Sequence, residues 1–319
     1  MKIALTGATG FIGSAVLKKL ESSDIELIPL VRKEKIHSLS CRAFEIDLDD
    51  LHSFDAKVIK GCDSLIHLAG YPNIIDDNSP NSLVEYQRLN RDVTLELGKI
   101  AVSASIKRFV LISSIKVNGE SSEYDTPFTS DSDYIPDDPY AFSKYESEKV
   151  LIDIARNTGI EFVIIRPPLT YGPGVKGNFS KMVSMLKEGI PLPLGAINNK
   201  RSFVALDNLV DFIILCADRS RSSRALNEVF VISDGEDIST TELLTKIKRS
   251  YKLKAILFPM PVSILRAVAK ILGKDKIADR LFGNLQIDSS KARDLLNWTP
   301  VIDMDGQLDK MAEFDQKAD

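Results

Sequence analysis

Tyr140 and Lys144 stand four residues apart in the run Pro139-Tyr140-Ala141-Phe142-Ser143-Lys144, so a helix there sets a phenol and an ammonium on one face. An ammonium so placed favours phenolate and lowers a tyrosine pKa from its reference of about 10, as proton transfer near neutrality requires. The same spacing recurs in Tyr145 and Lys149. Five residues carry a helix about 140° beyond one full turn, so the two pairs face different ways. Tyr140 is the better candidate because it falls in the first turn, where a helix opens onto a cleft; Tyr145 reads as packing. Ser114 closes the apolar run Leu111-Ile112-Ser113-Ser114. Ligands of doubly wound sheets bind beyond the carboxyl ends of the strands, where this hydroxyl could share a substrate oxygen with Tyr140. A serine in that place can equally serve local backbone.

A second motif needs no side-chain chemistry. Thr6-Gly7-Ala8-Thr9-Gly10-Phe11-Ile12-Gly13 follows directly on the first apolar run. Gly7 permits a sharp turn, Gly10 lets backbone approach a pyrophosphate, and Gly13 allows helix and strand to pack closely. The helix that starts here, with Thr9, Phe11 and Ile12 at its mouth, offers N–H groups and a favourable dipole to phosphate. The spacing G-x-x-G-x-x-G is one residue wider at its start than the usual dinucleotide fingerprint. At the end of the second strand an acid would hold the ribose 2′-OH of NAD; this chain has Val31-Arg32-Lys33 instead. Two cations suit a 2′-phosphate, which tilts the cofactor expectation from NAD to NADP. Asp47 and Leu48, after the third strand, are placed to meet the adenine edge.

The elements that must hold these residues alternate. Strands are expected at 2–6, 25–31, 43–46, 64–68, 108–113 and 162–166, with a seventh at 229–232, and helices at 11–22, 82–103 and 139–157. Near-continuous apolar runs such as Phe109-Val110-Leu111-Ile112 fit strands buried on both faces. The pattern is that of an α/β, Rossmann-type, doubly wound parallel sheet of seven strands. Asp138, Pro139 and Gly159 punctuate the helix that carries Tyr140 as cap, first position and stop. After Arg166 the alternation breaks at Pro167-Pro168, and a smaller, mostly helical lobe follows. The expected division is 1–167 with 203–232 for the dinucleotide, and 168–202 with 233–319 for the substrate. The stretch 260–272 is amphipathic; core packing is the expected use of its apolar face, and membrane-surface binding the rival.

Composition narrows the function. The 319 residues carry a net charge of −4 and show no basic stripe, which argues against nucleic acid as a main partner. Three cysteines and three histidines are scattered without metal-ligand spacing, so neither a zinc site nor a disulfide frame is expected. The first residues lack the form of a leader, and no apolar run approaches membrane-spanning length, so a cytoplasmic protein is expected.

Taken together, these residues resemble the extended short-chain dehydrogenase/reductases, in particular the nucleotide-sugar epimerase/dehydratase group. The likeness covers Thr6 to Gly13, Asp47-Leu48, His67-Leu68-Ala69-Gly70, Asn90, Ser113-Ser114, Tyr140 with Lys144, and Arg166-Pro167-Pro168 with Tyr171-Gly172-Pro173-Gly174. It continues through Asn178-Phe179, Arg201-Ser202-Phe203-Val204, Asp288-Ser289-Ser290-Lys291-Ala292 and Asn297-Trp298-Thr299-Pro300. The resemblance implies that Tyr140 is the general acid or base, that Lys144 grips the nicotinamide ribose and tunes it, and that Ser114 orients the reacting oxygen. It implies that Leu68, Ala69, Gly70, Asn90, Ser113 and Pro167 line the cofactor, and that Asn178, Arg201 and Arg280 hold a nucleotide-sugar diphosphate.

Two departures stand out. Lys116 occupies a place where the UDP-galactose 4-epimerases have a small hydroxyl residue, and it could meet substrate phosphate or close a salt link. The second strand also lacks the acid of those epimerases, which keep NAD tightly bound. The stretch Ser114-Ile115-Lys116-Val117-Asn118-Gly119 resembles a subgroup linked to bacterial O-antigen sugars, including reducers of a UDP-4-keto-6-deoxy-hexosamine. The leading expectation is therefore an NADPH-dependent 4-keto reductase of a UDP-sugar, with a 4-epimerase holding NAD as runner-up. A non-catalytic NADP-sensing scaffold is the rival from another class, although such proteins commonly lose the tyrosine or lysine kept here. A homodimer through the helices at 82–103 and 139–157 is a further implication of the resemblance. Sugar-ring contacts are expected from the loops at 71–82 and 118–135.

Overall fold

Apolar runs able to bury both faces become the strands of one parallel sheet. In chain order these are β1 (Lys2–Thr6), β2 (Glu26–Val31), β3 (Phe44–Glu45), β4 (Ser64–His67), β5 (Arg108–Ile112) and β6 (Glu161–Arg166). Three two-residue strands, β7 (Thr170–Tyr171), β8 (Arg201–Ser202) and β9 (Val204–Ala205), precede the last sheet strand, β10 (Glu228–Val231). The spatial order is β10-β6-β5-β4-β1-β2-β3, and every pairing in this sheet is parallel. That is the doubly wound order with its switch point at β1 and β4. These coordinates form a computed structural model, in which residues 1–70, 81–131 and 134–318 are described. Most of the loop expected to touch the sugar, residues 71–80, lies outside the described residues, as do 132–133.

Helices cover both faces. On one side α1 (Phe11–Leu20) joins α6 (Leu206–Ala217) over a core that includes Ile3, Leu5, Val110 and Phe212. On the other lie α2 (Ser82–Tyr86), α3 (Val93–Ser103) and α4 (Pro139–Thr158), over Leu65, Leu97, Phe109 and Leu151. The single helix expected at 82–103 is in fact interrupted. A π-helical segment, Gln87–Asp92, separates α2 from α3 and carries Asn90. Such insertions re-aim a side chain without breaking the helix axis, and they concentrate at functional sites.

A third apolar cluster gathers Tyr171, Phe179, Leu244, Ile247 and Leu308 away from the sheet. It is built from α5 (Asn178–Lys187), α7 (Thr240–Ser250) and, after α8 (Val262–Ile271), α9 (Asp275–Phe282) and α10 (Ser290–Leu296), from α11 (Met304–Ala318). β8 pairs here with β11 (Asp237–Ile238), and β9 pairs with β7. The expectation of core packing for 260–272 is corrected: α8 has no buried residue, and Ile264, Val268, Ile271 and Leu272 are exposed. Of its apolar residues Val262 and Leu265 rest against the third cluster, and Leu265 borders the exposed stripe.

Candidate functional site

Register puts the carboxyl ends of β1, β4, β5 and β6 at one edge, where Thr6 pairs with His67, His67 with Leu111, and Ile112 with Ile165. The residues that follow these ends are Gly7, Leu68 to Gly70, Ser113 with Ser114, and Pro167. Gly7 has φ +74°, and a Cβ there would stand 2.6 Å from the Ala69 nitrogen. At Gly13 a Cβ would stand 2.0 Å from the Gly7 carbonyl oxygen. Both glycines are therefore needed for α1 to start this close to β1 and β4. Gly10 is exposed, its N–H closes the turn onto the Gly7 carbonyl at 2.9 Å, and it caps α1 with no side-chain hydrogen bond. The first turn of α1 holds no acid. Thr9 is exposed and Phe11 and Ile12 half-buried at its mouth, so the helix dipole there meets no carboxylate of its own.

The helix carrying Tyr140 starts as its sequence dictates. Asp138 accepts from the Ala141 N–H at 2.8 Å, Pro139 holds the first position, and Gly159 stops α4 in the left-handed region. Lys144 is buried and donates from Nζ to the Ile112 carbonyl at 3.1 Å. The Asn90 amide donates to Ser143 Oγ at 3.0 Å, and Ser143 donates in turn to the Tyr140 carbonyl. The Tyr140 ring packs edge-on against Tyr86 with centroids 5.6 Å apart. A Cβ on Gly70 would stand 3.1 Å from Lys144 Nζ and 3.3 Å from Asn90 Oδ1. Only glycine leaves that corner open.

Two buried oxygens in this corner, Asn90 Oδ1 and Ser113 Oγ, have no hydrogen-bond partner among the described residues. Buried polar atoms are rarely left so, and these two fit a polar ligand that faces Lys144. With the glycine turn and the bare N-terminus of α1, they make a set of donors and acceptors that fits a nicotinamide dinucleotide. Arg32 and Lys33 follow β2 and are exposed; Arg32 meets Glu34 at 3.3 Å. Asp47 is also exposed, with Oδ1 accepting from the Asp49 N–H, and Leu48 is half-buried against the core beneath α3.

Electrostatics here departs from the sequence expectation. Burial first, and then the Asp138 carboxylate, push the Tyr140 phenol up to about 12. Lys144 was expected to lower it. Its ammonium is instead turned to the Ile112 carbonyl, and burial brings Lys144 itself down to about 8 against the opposing pull of Glu148. Beneath them His67, hydrogen-bonded to Thr6 Oγ1 at 2.6 Å, is held down to about 3 by burial and by Lys144, so it stays neutral. Ser114 is half-buried and accepts from the Lys116 N–H at 3.3 Å, the local role open to a serine in that place. Lys116 closes salt links, to Glu120 at 2.9 Å and to Asp138 at 3.3 Å, and its Nζ lies 5.9 Å from the centre of the Tyr140 ring.

The clamp that holds α4 to the sheet escaped sequence reasoning. Arg166 at the end of β6 pairs with Glu148 at 2.6 Å, and it also donates to Asn118 and the Ser130 carbonyl. The available signal was spacing, since Glu148 lies one helical step beyond Lys144 on α4 and the motif Arg166-Pro167-Pro168 was already in view. Pro167 is buried, and its carbonyl accepts from the Ile115 N–H at 3.0 Å.

Of the residues assigned to a diphosphate, two come together. Arg201 donates to the Gly283 carbonyl at 3.0 Å and is lowered to about 10 by burial and by the neighbouring Arg280. Arg280 reaches Glu120 at 3.8 Å. Two guanidiniums near enough to act on each other in a partly buried place favour an anion beside them. Asn178 opens α5 and is exposed, and no hydrogen bond or ion pair among the described residues joins it to that pair.

Comparison with known proteins bears on this arrangement directly. Residues 3–233, which hold the glycine turn, Ser114, Tyr140 and Lys144, match the NAD dependent epimerase/dehydratase family. The chain belongs to that family. It is accordingly a nicotinamide-dependent enzyme of the extended short-chain dehydrogenase/reductases. Among relatives of this NAD dependent epimerase/dehydratase, a UDP-glucose 4-epimerase of Vibrio cholerae is 37% identical over 300 residues, covering 93% of this chain and 90% of its own. A dTDP-4-dehydro-6-deoxyglucose reductase of Escherichia coli is 24% identical and covers 97% of this chain and 96% of its own. The solved UDP-N-acetylglucosamine 4-epimerase from Bacillus cereus superposes with a TM-score of 0.79 at 20% identity, over 99% of each chain. At that identity it speaks for the shared fold.

Proposed function

We propose that the protein moves a hydride to or from C4 of a UDP-linked hexose, and that its favoured reaction is reduction of a 4-keto sugar with NADPH. The bound dinucleotide supplies the hydride. Tyr140 gives its phenolic proton to the C4 oxygen, the Ser114 hydroxyl orients that oxygen, and Lys144 holds the nicotinamide ribose. Gly70, Asn90, Ser113 and the loop from Leu68 through Ala69 line the nicotinamide end. Arg201 and Arg280, with Asn178 less securely, take the diphosphate. In this reading residues 1–167 with 203–232 bind the dinucleotide, and 168–202 with 233–319 form the sugar-binding lobe.

Burial and the Asp138 carboxylate raise the Tyr140 phenol, which suits it to donate a proton. A neutral phenol is the form that donates to a C4 carbonyl oxygen, a step that a 4-keto reductase shares with the reductive half of a 4-epimerase. The observation that carries the preference for reduction is the end of β2, where exposed Arg32 and Lys33 stand in place of an acid and support a 2′-phosphate, hence NADPH. A second reading, a 4-epimerase with retained NAD, draws support from the 37% identical Vibrio relative named UDP-glucose 4-epimerase.

One purification separates them. The favoured reading expects protein free of tightly held NAD that oxidises NADPH when a UDP-4-keto-6-deoxyhexose is added. Stoichiometric NAD in the purified protein, with no consumption of NADPH and interconversion of UDP-hexoses, overturns it in favour of the epimerase.

A further inference from the structure

The face that α8 turns outward is unlike the rest of the molecule. Ile264, Val268, Ile271 and Leu272 recur at helical spacing on one stripe, and all are exposed, Ile271 by 84% and Leu272 by 62%. Ile277 on α9 adds a fifth exposed branched side chain at 52%. The helix already rests on the fold through Val262 and Leu265, at the edge of this stripe. Its apolar stripe is therefore surplus to the fold, and leaving such a patch in water is unfavourable unless something covers it.

Charge indicates what that cover is. From Val262 to Arg280 the chain carries five lysines and arginines against two aspartates, Asp275 and Asp279, the second of them paired with Arg266, although the whole protein has a net charge of −4. Lys270, Lys274 and Lys276 flank the apolar stripe, are exposed, and enter no ion pair among the described residues. An apolar stripe bordered by unpaired cations is the pattern of a helix that lies in the headgroup layer of an anionic bilayer. No helix among the described residues is long and apolar enough to cross a membrane, so any such contact is peripheral.

We propose that α8 and the start of α9 form a docking face for anionic lipid membranes. Ile264, Val268, Ile271 and Leu272 enter the acyl boundary while Lys270, Lys274 and Lys276 meet the headgroup phosphates. Arg280 stands one helical turn beyond Ile277, so the docked face lies beside the two-arginine place that reaches Glu120. The inference does not depend on which sugar or which nicotinamide cofactor the enzyme uses.

The test is co-sedimentation of the full chain with vesicles of phosphatidylglycerol and, separately, of phosphatidylcholine alone. The expected result is binding to the phosphatidylglycerol vesicles that weakens with salt and is lost in the double variant Ile271→Asp with Leu272→Asp. Lys270→Glu with Lys274→Glu should weaken it by about tenfold or more, because each lysine near the surface contributes about fivefold. Both variants change only exposed side chains, so unaltered thermal unfolding is expected and excludes misfolding as the cause. Failure to bind phosphatidylglycerol vesicles, or binding that survives both variants, overturns the proposal. It is equally overturned if the wild type self-associates in sedimentation and the Ile271/Leu272 variant does not, because the face then belongs to a second copy of this chain.

Discussion

Lys144 carries an ammonium into a place with little water. Its pKa falls from 10.5 to about 8 because burial penalises the charge more than Glu148 repays it. Between these two values the unfolded chain holds the extra proton and the folded chain does not, so the contribution of this group to stability rises with pH across that interval. The shift is worth about 3 kcal/mol at its full extent. Two buried thiols, Cys62 and Cys216, are pushed up by burial and work the other way over this range. The test is therefore differential: on going from pH 8 to 10 in urea unfolding, the cofactor-free wild-type protein should gain stability relative to Lys144→Met, and an identical pH dependence of the two contradicts the assignment. Tyr140, Lys144 and Ser114 were legible from residue type and position. The direction of the Tyr140 shift was not, because spacing along a helix fixes which residues share a face but not where a flexible lysine turns its ammonium. The Ile112 carbonyl that takes it is backbone, and no residue code marks it.

α4 is the element on which the site depends, and it is fastened at its start and at its middle. Asp138 caps its start beneath Lys116, and Glu148, nearly three turns further on, is buried against Arg166 of β6. Removing one partner of a buried ion pair leaves the other charge stranded, typically at a cost of about 3–5 kcal/mol. Glu148→Ala should lower the unfolding free energy by that amount and reduce turnover by loosening α4. A loss below 1 kcal/mol would show that the clamp is not what holds the helix. Strand positions were read to within a residue or so because buried parallel strands are nearly continuous apolar runs. Two helices were misread for physical reasons. The π segment at Gln87–Asp92 adds one residue per turn without altering the apolar count, so 82–103 read as one helix. The amphipathic stretch around α8 has the same periodicity whether its apolar side meets protein or something outside, and only the packed structure separates the two.

For the whole molecule, the helices α2, α3 and α4 on one face of the sheet remain the expected dimer surface. Leu83 and Val84 of α2 are exposed, and Ile100 and Ile152 are only partly buried there. Sedimentation at micromolar concentration should give a dimer, with a monomer alone counting against this surface. The seven-stranded parallel sheet and the glycine turn were legible in the sequence, because alternating apolar runs and a glycine spacing are local patterns, whereas the spatial order of the strands is not. The pairing of Arg201 with Arg280 did not, since it joins β8 to α9 across a lobe of short elements and loops. The claim on which the rest stands is hydride transfer at C4 with Tyr140 as proton donor. The direct measurement supplies NADPH deuterated at its transferable position, a UDP-4-keto-6-deoxyhexose, and either the wild-type protein or Tyr140→Phe. The account predicts deuterium at C4 of the product with the wild type, and a rate at least about a hundredfold lower with Tyr140→Phe. A product with no label at C4, or a phenylalanine variant as fast as the wild type, would contradict it.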